Sequence, residues 1–406
     1  MLYFKNTELA KIFNVSEKSV RNWIQAAQQG KLDLQLHEYN GKVWIANTAK
    51  NSAILQKHAQ QGKKYKNRRG AKIVTPTQRF YELYNQKQIL DIIAYSTIHH
   101  EIPTRYSYMD GGAQYWDDYA KRLGGEDIPN ILNKTIELLE MATPAMNELI
   151  ESGRKVNVVD LGPGNGLPIR PMLTRLIDEG RLKRYIAIDG SQDMLDILET
   201  NIKKWFGDTI HYEGYIRDIS HDRFDDLFAD DYAADEAEVP ANLVCLLGGT
   251  LSNFKSPTQT LLTINESMGL NDLLIYTGLL DTPAIRRYFD FNNSHPNQKL
   301  RSELILAFLG IEEDLYEMEL KFDDVKRARS ISCIPTVDLT IKFELAHGTR
   351  YVELRKGEPI LLWRHWHKDA IDIINQFDQT GYDIMNVART VNQEYMLAIS
   401  KIKVEI

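Results

Sequence analysis

The chain has 406 residues, 43% hydrophobic and 26% charged, which suits a soluble globular protein of two or three domains. No apolar run approaches the ~18 residues of a bilayer span and no basic-then-apolar segment opens the chain, so neither membrane insertion nor export is expected and a cytoplasmic location is. The net charge of −7 divides into +10 over residues 1–72 and −17 over the remainder, a basic module joined to an acidic body with separate partners.

In "NTELAKIFNVSEKSVRNWIQAAQQGKL", Leu9, Ala10, Ile12 and Phe13 give a first short helix its apolar face. "NVS" turns the chain, Ser16 is a natural N-cap, and Val20, Trp23 and Ile24 face inward on a second helix. "LDLQLHEYNGKVWIAN" reads as a hairpin turning at Asn40-Gly41. Two helices followed by a hairpin resemble the winged helix-turn-helix domains of transcriptional regulators, especially the excisionase-like kind. That resemblance places Lys18, Ser19, Arg21 and Asn22 against DNA and Lys42 on the wing. The tract "GKKYKNRRGAK", Gly62–Lys72, would add phosphate contacts, although a basic tract is equally readable as a solvated linker. The module is expected over residues 1–60 and the linker over 61–76. Residues 77–150 are expected to form the helical part of a substrate lobe. The pair His99-His100 reads as a helix end.

"KVNVVDL" is a β-branched run long enough for a buried parallel strand, and "GPGNG" follows it. A dinucleotide fingerprint lacks the acid that precedes these glycines. Asp160, Gly162, Gly164 and Gly166 instead resemble motif I of class I S-adenosylmethionine-dependent methyltransferases. Glycines let the backbone approach a ligand, and the Asp160 carboxylate can meet the cationic amino end of methionine. "RYIAIDGS" ends a second buried strand in Asp189, 23 residues after Gly166, where a carboxylate can take both ribose hydroxyls of NAD or of S-adenosylmethionine. Asp218 stands where this superfamily often contacts the adenine amine. Strands "NLVCLLGG" (with Gly248), "DLLIYTGLL" and a terminal pair in "YDIMNVARTVNQEYMLAISKI" complete a class I order over 151–280 and 371–406. Cys245 and Cys333, the two cysteines, lie in apolar strand-like runs; buried thiols are expected, without a disulfide framework or a cysteine-based zinc site. The interval 281–370 is too long for a crossover and reads as an inserted α+β substrate lobe.

Amino-DNA methyltransferases need a Pro-Pro loop and cytosine-C5 enzymes a Pro-Cys nucleophile; the chain has neither. "CLLGGTLSNF", Cys245–Phe254, resembles the Gly-x-Thr-x-x-Asn-Phe signature of the histidine-specific Nα-methyltransferases of ergothioneine biosynthesis, and "IPTRYSYMDGGAQYWDDYA", Ile102–Ala120, resembles a segment ahead of that family's core. The resemblance implies an amino-acid-like substrate between core and lobe. Asn253 would hold its amino or carboxylate group and Tyr108 would contact its amino-acid end. The family's glutamate and serine that grip the imidazole are replaced in "GEPILLWRHWHK" by Trp363 and His365, so an acceptor other than histidine is expected. Trp363, His365 and His367 alternate along a strand and are candidates to line the pocket; packing of a half-buried strand is the competing reading, and no third ligand makes a metal site of the histidines.

The expected fold is α/β, a class I (Rossmann-like) methyltransferase core with an inserted lobe and an amino-terminal winged helix-turn-helix. The expected function is methyl transfer from S-adenosylmethionine, giving S-adenosylhomocysteine, to a nitrogen of a small amino-acid-like molecule, with DNA as a partner of residues 1–72. The rival readings are a regulator that senses S-adenosylmethionine and a methyltransferase acting on protein or nucleic acid.

Overall fold

The structure, a computed structural model, describes residues 3–13, 15, 17–39, 41–46, 48, 50–52, 54–55, 71–125, 130–232, 239–288 and 296–404. Ser16, Asn40 and residues 62–70 of the basic tract lie outside the described residues.

The helices Asn6–Ile12 and Glu17–Gln28 bury Leu9, Val20 and Ile24 against Ile45 and Leu55. Their partner is a small antiparallel sheet of β1 (Tyr3–Phe4), β2 (Leu36–Tyr39) and β3 (Lys42–Ala46), in the order β1-β3-β2. Because Val20 and Ile24 are one helical turn apart and face inward, Lys18, Arg21 and Asn22 fall on the exposed face; Ser19 is half-buried. Lys42 is exposed at the start of β3.

Residues Lys72–Val74, expected as linker, form β4. Two helices follow, Gln78–Leu83 capped by Thr77 and Gln86–His99 capped by Asn85. The second ends at His100, which takes the left-handed conformation with φ 50°, so the histidine pair is a helix end. The helices Gly112–Gly124 and Ile131–Leu149 lead into the core. The latter, expected within the lobe, buries Leu138, Leu139, Ala142 and Met146 against the main sheet.

That sheet comprises β5 (Val156–Leu161), β6 (Leu182–Asp189), β7 (Tyr212–Ile216), β8 (Ala241–Leu246) and β9 (Leu273–Leu279). After an inserted stretch of five strands, β10 (Tyr316–Asp323), β11 (Ala328–Pro335), β12 (Leu339–Leu345), β13 (Gly348–Leu354) and β14 (Ile360–Trp366), it is completed by β15 (Tyr382–Arg389) and β16 (Tyr395–Ile402). Its order is β15-β16-β9-β8-β5-β6-β7, and only β16 runs antiparallel to its neighbours. This is the class I methyltransferase arrangement. The strands β5, β8 and β9 are buried along their whole length because helices cover both faces: Val156 and Val158 point to one core, Val159 and Leu161 to the other.

The lobe contains two three-stranded sheets, β10-β11-β14 and β13-β12-β4, the last pair parallel. Phe80, Tyr84, Ile89 and Ile92 from the early helices share one core with Leu306, Phe343 and Val352 from the insertion. Two chain segments, one before β5 and one inserted between β9 and β15, therefore build a single lobe. Cys245 and Cys333 are buried free thiols, one in β8 and one in β11. Among the described residues no helix is long and apolar enough to cross a membrane.

Candidate active site

The carboxyl ends of β5, β6, β7 and β8 converge on a cavity of about 450 Å³, within the range of small-molecule sites. The glycine loop after β5 forms its floor. Gly162, Gly164 and Gly166 all have positive φ, at 65°, 58° and 78°, and each is hemmed in by a different neighbour. A Cβ on Gly162 would meet Thr250 Cγ2 at 2.8 Å, on Gly164 Trp116 Nε1 at 3.0 Å, and on Gly166 Leu198 Cδ1 at 2.5 Å. Gly162 and Gly164 line the cavity; Gly166 serves the packing of the helix Gln192–Phe206, which follows β6.

Asp160 is buried and accepts a hydrogen bond from Tyr185 Oη at 3.0 Å. Burial pushes its carboxyl up to about 7 despite that bond. It lines a smaller cavity of about 70 Å³ alongside Trp116, Tyr119 and the glycine loop, next to the main one. Asp189 lines the main cavity, is raised by burial to about 6, and accepts the Ser191 N–H at 2.9 Å. Among the described residues neither carboxyl has a cationic partner, so both could meet a ligand's cation or hydroxyl groups. Asp218 lines the same cavity. Burial would raise it, but the Ser220 hydroxyl and the Arg105 guanidinium, 3.2 Å away, hold it below the ordinary carboxylate value. Gly248, with φ 67°, donates its N–H to Thr277 Oγ1 at 2.9 Å and lines both cavities.

The opposite wall comes from the lobe and from the turn after β8. Tyr108, Arg105 and Tyr95 face Asn253, Phe254 and Lys255. Asn253 Oδ1 lies 3.1 Å from His365 Nδ1, and Trp366 Nε1 donates to the Phe254 carbonyl at 2.8 Å, so β14 is clamped onto this turn. Trp363 stacks on His365 with ring centroids 5.9 Å apart, and His367 meets His365 edge-on at 5.2 Å. All three are buried, and none of them lines either cavity. The alternation that puts them on one face is present, but that face packs behind Asn253. Burial and the nearby Arg329 hold His367 down to about 4. Among the described residues no group of three or more His, Cys, Asp or Glu could hold a metal ion.

The sequence reading misses several lining residues: Trp116 above Gly164, Thr250 against Gly162, Arg105 on Asp218, and Lys255, whose Nζ sits 4.8 Å from the Tyr95 ring centroid. Trp116 and Arg105 fall in "IPTRYSYMDGGAQYWDDYA" and Lys255 directly follows "GGTLSNF", so adjacency to a recognised motif is the signal that could have found them.

Residues 86–285 match the family model described as histidine-specific methyltransferase, SAM-dependent. Among curated proteins none matches the sequence. Among solved structures the chain is similar to a S-adenosylmethionine-dependent methyltransferase from Clostridium acetobutylicum, at 13% identity and TM-score 0.39, over 73% of this chain and 100% of that one. It is also similar to the CcbJ methyltransferase from Streptomyces caelestis, at 12% identity and TM-score 0.36, over 72% and 98% of the two chains. A third is the glycopeptide N-methyltransferase MtfA complexed with S-adenosylmethionine, at 12% identity and TM-score 0.34, over 66% and 93%.

Proposed function

We propose that this protein, by its family match and strand order a S-adenosylmethionine-dependent methyltransferase, methylates the nitrogen of a small amino-acid-like molecule other than histidine. The observation that carries the reading is the cavity wall at Asn253. It lines, opposite the glycine loop, a cavity of about 450 Å³, a size that suits a metabolite. Asp160 takes the methionine ammonium and Asp189 the ribose hydroxyls; Asp218 faces the adenine. The bound cofactor supplies an electrophilic methyl on a sulfonium, whose thioether leaves without acid assistance. The remaining work of the protein is alignment and exclusion of water.

Asn253, Tyr108 and Phe254 orient the acceptor so that its uncharged nitrogen faces the methyl. With Asn253 Oδ1 engaged by His365, the group left to face the cavity is the amide NH₂. This suits a carboxylate or carbonyl of the acceptor and leaves the attacking lone pair free. Histidine as acceptor is disfavoured because Trp363 and His365, at the positions where the family's imidazole partners stand, are withdrawn from the cavity. Asn253→Ala tests the assignment with S-adenosylhomocysteine formation measured over a panel of free amino acids that includes histidine. Turnover should be lost with cofactor affinity nearly intact; unaltered turnover sinks the assignment.

The amino-terminal module is proposed as a winged helix-turn-helix that binds DNA through Lys18, Ser19, Arg21, Asn22 and Lys42. The exposed basic face of the Glu17–Gln28 helix supports this. If no acceptor is methylated while S-adenosylmethionine changes DNA affinity, the protein is a sensor rather than a catalyst.

A further inference from the structure

The cavity of about 70 Å³ beside Asp160 shares a wall with the main cavity, made by Trp116, Gly162, Gly164, Gly248 and Thr250. Trp116 belongs to the helix Gly112–Gly124, ahead of the main sheet in sequence, yet it reaches over the loop that follows β5. Its nitrogen edge is the part that meets the loop: a Cβ on Gly164 would lie 3.0 Å from Nε1 and 3.8 Å from Cδ1. The next residue along each segment repeats the contact. Asp117, 2% exposed, accepts a hydrogen bond from Asn165 Nδ2 at 2.9 Å, so helix and loop are fastened at two consecutive positions. Trp116 is therefore held in place by the protein itself, before any ligand enters.

The polar groups of the small cavity divide by role. Asp160 is an acceptor, buried, with Tyr185 Oη as its side-chain donor and no cation beside it among the described residues. Thr250 gives its hydroxyl hydrogen to the Leu247 carbonyl at 2.8 Å, and Asn165 gives an amide hydrogen to Asp117. The half-buried indole of Trp116 differs: among the described residues no protein acceptor takes its N–H, whereas the N–H of Trp366 goes to the Phe254 carbonyl. Such a donor in a cavity wall is satisfied by an acceptor that enters the cavity. Much of the remaining lining, including Leu123, Leu132, Pro168 and Leu247, is apolar, and a hydrogen bond made there is stronger than one made in water. An acidic acceptor and an unspent donor in one small apolar space match the two ends of a zwitterion, ammonium to Asp160 and carboxylate to Trp116. The size of this space suits a compact end group, with the nucleoside left to the larger cavity.

We propose that the Trp116 indole N–H holds the carboxylate of the donor's methionine tail, beside Asp160, and makes an intact amino-acid tail a condition of tight binding. This rests on reading Asp160 as the seat of the donor's ammonium. Trp116 is then a specificity residue for the donor, separating S-adenosylmethionine and S-adenosylhomocysteine from nucleosides that lack the tail.

The test compares S-adenosylhomocysteine with 5′-methylthioadenosine, which keeps the nucleoside and the thioether and lacks the amino-acid end, by calorimetry on the full-length protein. Trp116→Phe keeps a ring over Gly164 and removes the N–H. It should weaken S-adenosylhomocysteine by about tenfold or more, the scale of one charge-assisted hydrogen bond, and change 5′-methylthioadenosine by less than about threefold. An unaltered affinity for S-adenosylhomocysteine in Trp116→Phe overturns the proposal. So does an equal loss for both ligands, which would make the indole a packing group against the loop. Wild type that binds the two ligands equally overturns the seating of the tail beside Asp160, and the proposal with it. Should Trp116→Phe fail to fold, ¹⁵N-tryptophan-labelled wild type decides. A downfield shift of an indole N–H resonance with S-adenosylhomocysteine and not with 5′-methylthioadenosine supports the contact, and the lack of one overturns it.

Discussion

Asn253 turns its side-chain oxygen toward His365, whose Nδ1 lies 3.1 Å away and which is itself stacked on Trp363. A residue that lines the cavity is thus oriented by one that does not. Histidine supplies the donor and the stacked indole fixes the ring. His365→Ala should lower kcat/KM by about tenfold, the scale of one hydrogen bond that fixes a polar group. His365→Asn, which keeps a donor, should recover part of it. Steady-state kinetics alongside calorimetry of S-adenosylhomocysteine binding separates orientation from damage: equal losses in both variants, or a parallel loss of cofactor affinity, would argue against it.

The buried acids give the site a pH signature. Asp160, at about 7 in the folded chain, lies above the ~3.9 of an unfolded aspartate. A carboxyl raised on folding stabilises the fold fully below its unfolded value and loses that contribution as pH climbs through the folded value. Between pH 6.5 and 8, where His367 at about 4 and Asp189 at about 6 are largely finished titrating, the unliganded protein should lose about 1 kcal/mol of stability. S-adenosylhomocysteine should reverse the loss, with protons released on binding at pH 7 and its ammonium drawing Asp160 into the ionised form. Calorimetry in two buffers of different ionisation enthalpy reads the release directly, and Asp160→Asn should abolish it.

The loop glycines make a graded set. Gly164→Ala combines a left-handed backbone with a 3.0 Å approach to Trp116, whereas Gly180→Ala, with φ 63° and open space around its Cβ, carries the backbone strain alone. Both should cost about 1–2 kcal/mol in stability. Only Gly164→Ala should weaken S-adenosylhomocysteine binding, by about tenfold or more as measured by calorimetry. Equal affinities in the two variants would mean that the loop does not contact the cofactor.

On a mixed-sequence duplex, the full-length protein should bind with an affinity that falls steeply with salt. Lys18→Glu combined with Arg21→Glu should flatten the plot of log affinity against log salt by about two units, one per phosphate contact. Fluorescence anisotropy over a salt series measures this, and a slope unchanged by the double substitution removes DNA from the list of partners.

The main sheet is legible in the sequence because its central strands are buried on both faces, which forces unbroken apolar runs such as "NLVCLL" and "DLLIYTGLL". The glycine loop is legible because backbone geometry there admits few residues. The acceptor side is not. Lys72, Ile73 and Val74 look like the tail of a basic tract, and become a strand only through pairing with β12 far along the chain. His365 alternates correctly with Trp363, but periodicity cannot say whether that face meets solvent, ligand or a neighbouring turn.

The parallel pairing of β4 with β12 also decides which half of the molecule the amino-terminal module is wired to. The first strand after that module belongs to the lobe that carries Tyr108, not to the sheet that carries Asp160 and Asp189. The module is therefore joined along the chain to the lobe before it is joined to the main sheet. The main sheet is reached next along the chain through the Ile131–Leu149 helix, and across space through Arg105 on Asp218 and His365 on Asn253.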